Sequence, residues 1–70
     1  MYPNIMFEKL IKRVTNQDIA KMLDVRPATI TDKMKGRSAW TLPEALAIKD
    51  FLRSELTLEE LFKWEDDKTS

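Results

Sequence analysis

Apolar residues along this chain recur every three to four positions and nowhere alternate in twos over the length of a strand. That period belongs to helices that each bury one stripe. Five short helices are expected. The first runs from Asn4 or Ile5 to Arg13, with Phe7, Leu10, Ile11 and then Val14 turned inward. The second opens at Thr15, which can cap it together with Asp18 three residues on, and buries Ile19, Ala20 and Leu23. Asp24 stands where the chain must turn, and Asp tolerates left-handed backbone better than most residues. Pro27 suits the first turn of the third helix, because its missing N–H would lack a partner there anyway. The same proline disfavours helical geometry at Arg26, so the second and third helices cannot fuse.

In the third helix Ile30 and Met34 point inward at i and i+4, and Gly36, the chain's one glycine, sits where a C-terminal cap belongs. Thr41 and Glu44 bracket the start of the fourth helix, which is expected to bury Leu42, Ala45, Ile48, Phe51 and Leu52. Thr57 and Glu60 form another capping box and open a short fifth helix with Leu58, Leu61 and Phe62. Residues 66–70 are polar and expected to fray. The pattern therefore predicts an all-α fold, a compact five-helix bundle over residues 1–65 with a polar tail at 66–70.

Composition narrows the function. Seventy residues make one small domain, which buries only ~60% of its unfolded surface and must use its core fully. No apolar run approaches the ~20 residues that span a bilayer, and Met1–Tyr2–Pro3 opens no signal-peptide pattern. The absence of cysteine fits a reducing cytoplasm. With no histidine either, the common nucleophile–base pairs and most transition-metal sites are gone. No catalytic residue, metal or cofactor is expected.

Net charge is zero, but its distribution is uneven. Residues 1–37 hold eight basic and four acidic side chains, a net of +4, and residues 38–70 hold four basic and eight acidic ones, a net of −4. Such a split suggests that one end meets an anionic partner, although solvated surface charge explains it equally well.

The stretch Asn16–Gly36 ties these features together. Ala20 falls where the second helix would cross the third closely, Val25 can plug the gap in the turn, and Ile30 packs back from the third helix. Two helices joined steeply by a three- or four-residue turn form a helix-turn-helix. Residues 4–63 resemble the Cro/phage-repressor family of DNA-binding domains, with a lambda-repressor-like fold. The resemblance rests on Thr15-Asn16-Gln17-Asp18-Ile19-Ala20, on Leu23-Asp24-Val25, on Thr29-Ile30 through Met34, on Lys35-Gly36-Arg37, and on WTLPEALAIKDFL as a fourth helix. It departs from the family at Asp24, where glycine is frequent, and at Pro27, where relatives often offer a polar contact.

The resemblance implies a sequence-specific transcriptional regulator, cytoplasmic and bacterial or phage-encoded, that binds double-stranded DNA at a pseudo-palindromic operator. With Ile30 and Met34 inward, the face offered to the major groove carries Ala28, Thr29, Thr31 and Asp32, with Arg26 beside its start. Arg26 suits a guanine N7/O6 edge, and Ala28 and the threonine methyls suit the thymine methyl. Asp32 can accept from a cytosine amine or pair with Lys33 or Lys35 at helical spacing. Asn16, Gln17, Lys33, Lys35, Arg37 and Ser38 are the expected phosphate contacts.

Trp40 is expected as a lid on the core. Trp64 is either a lid on the fifth helix or an anchor at a subunit contact. A homodimer, weak without DNA, would double the discrimination of one recognition helix. Its expected interface is Leu56, Leu58, Leu61, Phe62 and Trp64; the opposing reading is that they close the core of a monomer. The alternative function is a protein-interaction module on the same helical fold.

Overall fold

Two kinds of helix start build the molecule. The computed structural model describes residues 1–66, and the expected tail beyond Asp66 lies outside the described residues. The regular elements are α1 (Pro3–Lys12), α2 (Asn16–Leu23), α3 (Pro27–Met34), α4 (Leu42–Leu52) and α5 (Leu58–Leu61). The fold is all-α. α2, α4 and α5 open with reciprocal capping boxes, Thr15 with Asp18, Thr41 with Glu44 and Thr57 with Glu60. α1 and α3 have no side-chain cap and begin on prolines, which spare the start one unpaired N–H.

The helices end as abruptly as they start. α1, α2 and α4 stop at Arg13, Asp24 and Arg53, each in left-handed backbone, and Gly36 just past α3 has φ +81°. The residue after each donates its N–H to a carbonyl five positions back: Val14 to Lys9, Val25 to Ala20, Ser54 to Lys49 and Arg37 to Asp32. These bonds satisfy carbonyls that a helix end would otherwise leave open.

Between those stops lies a core of Ile19, Ala20, Ile30, Ile48 and Leu52. Val14, Met22, Leu23, Val25, Met34, Trp40 and Phe62 pack against it. α2 and α3 form the closest-packed helix pair, with Ala20 small enough to allow the approach and Val25 sealing the turn. Ile5 and Leu61 are also buried, from α1 and α5.

Two expectations about inward faces are corrected. In α4, Ala45, Ile48 and Leu52 are buried, but Leu42 and Phe51 are exposed, because both lie off the stripe those three share. In α1 the reversal is larger. Ile5 alone is buried, and Phe7, Leu10 and Ile11, expected inward, are exposed. The helix turns its polar side to the domain instead. The Lys12 ammonium reaches the Leu52 and Arg53 carbonyls at 2.5 and 3.1 Å, closing the end of α4, and Lys9 donates to Asn16.

Candidate nucleic-acid interface

The geometry starts at the turn. Asp24 in left-handed backbone (φ 58°, ψ 46°) ends α2, and extended Arg26 (φ −74°, ψ 145°) precedes Pro27, so three residues separate α2 from α3. Arg26, Pro27 and Ala28 are all exposed at the start of α3. Among the described residues neither Arg26 nor Lys35 makes an ion pair. Arg26, Ala28, Lys35, Arg37 and Ser38 therefore leave an uncovered edge that runs along α3 and past its end.

The other expected base contacts are placed differently. Thr29 and Thr31 are half-buried. The Thr31 hydroxyl donates to the Pro27 carbonyl at 3.2 Å, and together with Lys35 it borders a groove that α1 also lines. Asp32 is half-buried and receives Arg37 at 3.4 Å. Its partner is thus Arg37, not Lys33 or Lys35. So exposed a pair contributes ~0–1 kcal/mol, and Arg37 can leave it for another anion at little cost.

Among the expected phosphate contacts, Lys33 is withdrawn. Its ammonium lies 2.5 Å from Glu44 and 5.5 Å from the centre of the Trp40 ring, and only 12% of its side chain is exposed. That ammonium, followed by the Thr41 N–H, holds the Glu44 carboxyl below its ordinary range. Removing Lys33 from this setting would strand a mostly covered carboxylate. Asn16 is half-buried and accepts from Lys9, so its side chain is partly committed within the domain. Gln17 is exposed at the first turn of α2. It lines a cleft of about 450 Å³ with Asp18, Lys21, Asp24 and Pro27, where the two carboxylates oppose a phosphate and Lys21 favours one.

The sequence reading missed Lys9 and the role of Trp64. Burial pushes the Lys9 ammonium down. It lines an open groove of about 460 Å³ with Met1, Met6, Asn16, Thr31, Met34, Lys35 and Trp64. Trp64 lies over Gly36, whose missing Cβ would fall 2.5 Å from the indole, and its ring meets Tyr2 edge-on at 4.9 Å. Trp64 therefore covers the end of α3. Of the other expected dimer residues, Leu61 is fully buried, Leu56, Leu58 and Phe62 are half-buried, and Phe62 packs against the core. Leu61 has no surface to give a partner.

No family model matches the chain, and neither does any curated protein or solved structure. Among the described residues, no helix is long and apolar enough to cross a membrane.

Proposed function

We propose that the chain is a sequence-specific double-stranded DNA-binding regulator of the Cro/phage-repressor type, with α2 and α3 as its helix-turn-helix. The observation that carries this reading is the uncovered edge of α3, where Arg26 and Lys35 have no anionic partner among the described residues. An α-helix fits the major groove, and the start of a recognition helix reaches deepest. Arg26 is the base reader, suited to the guanine N7/O6 pair, and Ala28 offers a methyl to thymine. Lys35, Arg37, Ser38 and Gln17 contact phosphates and fix the register. Two copies on neighbouring major grooves read a pseudo-palindromic operator ~10 base pairs between half-site centres.

The test is a titration with random and selected duplexes across a range of salt. With about two phosphates neutralised per copy, by Lys35 and Arg37, log K falls against log salt with a slope near −2 for each, at about −0.9 per contact. A flat response would favour the alternative, a protein-interaction module, which the uncovered apolar side of α1 also supports.

A further inference from the structure

We infer that the outer face of α1 is the surface on which a second copy of this chain docks, its α1 running antiparallel to the first. The face is made by Met6, Phe7, Leu10 and Ile11, exposed by 43, 61, 78 and 56%. An isolated exposed leucine means little, but four on one side of a ten-residue helix form a continuous patch.

The occupant follows from the order of these residues. A two-fold axis midway between Glu8 and Lys9 pairs position 7 with position 10 of the second copy, and position 6 with position 11. The apolar set maps onto itself: Phe7 meets Leu10 and Met6 meets Ile11, with no apolar residue set against a charge. A two-fold interface needs this self-complementarity, whereas a foreign partner does not require it.

The ends agree. Exposed Arg13 at the end of one α1 comes to the Asn4 end of the other. There Asn4 donates to the Glu60 carbonyl at 2.6 Å, which brings the acidic first turn of α5, Glu59 and Glu60, alongside. The antiparallel helix dipoles also attract, and a chain of zero net charge sets up no overall repulsion between copies.

Area sets the strength. At roughly 200 Å² for a fully exposed side chain of this size, the patch offers about 450–500 Å² per chain. Two patches total about 900–1,000 Å², below the roughly 1,200 Å² of stable interfaces and in the range of transient ones, so the dimer is weak. This inference deepens the two-copy part of the reading above and does not rest on DNA binding, so its test omits DNA.

The test is sedimentation of the full chain from about 10 µM to about 1 mM, for the native protein and for Phe7→Lys and Leu10→Glu. The native chain should pass from monomer to dimer, and each substitution should weaken the dimer by about tenfold or more. Because positions 7 and 10 meet across the axis, mixing the two variants should restore a dimer, with Lys facing Glu at one contact and Leu10 facing Phe7 at the other. Helix content by circular dichroism should match the native chain, since both positions are exposed. If either charge unfolds the chain, Leu10→Gln reads the same equilibrium. A native chain that stays monomeric at about 1 mM, variants that dimerise as the native chain does, or a mixture that fails to pair would each overturn the inference.

Discussion

α1 and α3 have much in common: ten and eight residues, a proline start, and no side-chain cap. They nevertheless bury opposite sides of their patterns. In α3 the apolar Ile30 and Met34 turn in, and Ala28 and Lys35 turn out. In α1 the polar Glu8 and Lys9 lie against the domain, while Met6, Phe7, Leu10 and Ile11 face out. An apolar stripe records which residues share a face. It does not record whether the cover for that face comes from the same chain. In α3 the face left open is polar and basic, and in α1 it is apolar, so the two open surfaces suit different partners.

The sharpest way to break this contrast is to truncate one residue from each stripe. Ile30→Ala should cost ~2–5 kcal/mol, because Ile30 is fully buried and its loss leaves a cavity. Leu10→Ala, measured in urea at a concentration too low for association, should stay within ~0.5 kcal/mol. Equal losses would mean that α1 is covered within its own chain.

Acid separates the helices in another way. The Thr15 backbone N–H, then its hydroxyl, holds the Asp18 carboxyl below its ordinary range; the Lys33 ammonium does so for Glu44, and the Thr57 N–H for Glu60. With each folded value below the unfolded one, the unfolded chain binds more protons in between, so stability falls as pH falls. The loss should begin near the ordinary values of 4.5 and 3.8 and continue below them. Hydrogen exchange should show the starts of α2, α4 and α5 loosening before those of α1 and α3, which have no carboxylate caps. Simultaneous loosening of all five would remove this distinction.

The stops of α2 and α3 should respond in opposite directions to changes in backbone freedom. Gly36→Ala places a side chain at φ +81° and against Trp64, and should destabilise by ~1–2 kcal/mol. Asp24→Gly relieves left-handed backbone at φ 58° and should stabilise by ~0.5 kcal/mol, since glycine's greater freedom in the unfolded chain offsets part of the gain. Denaturant midpoints read both. A modest effect is expected at Trp40, whose buried indole N–H has no partner among the described residues. Trp40→Phe keeps a ring beside Tyr2 and Phe62 and removes that unpaired donor, so stability should change by less than ~1 kcal/mol.

Much of this fold was legible in the sequence. Thr15–Asp18, Thr41–Glu44 and Thr57–Glu60 marked three helix starts, and each pair forms its box. The turn at Asp24, the start at Pro27 and the inward Ile19, Ala20 and Ile30 are local consequences of backbone preference and period. The orientation of α1 was not legible, because Lys12 satisfies carbonyls forty and more positions away. A periodic pattern cannot register such a contact. Lys33 misled for the same reason, since Glu44, eleven residues on, draws its charge inward. At the interface, residue types along α3 indicated a candidate edge, but only packing separated exposed Ala28 from half-buried Thr31, whose hydroxyl bonds the Pro27 carbonyl.

The central claim is that the uncovered edge of α3 reads DNA sequence, and Arg26 tests it most directly. Binding to a selected duplex and to random duplex is measured at one salt concentration for the native chain, Arg26→Ala and Lys35→Ala. Arg26→Ala should weaken the selected site by ~1–3 kcal/mol and relax preference at one base pair, with random binding much less affected. Lys35→Ala should weaken both about equally and reduce the salt slope by about one. If Arg26→Ala leaves the selected and random affinities in their native ratio, the edge of α3 does not read sequence through Arg26, and the account is contradicted.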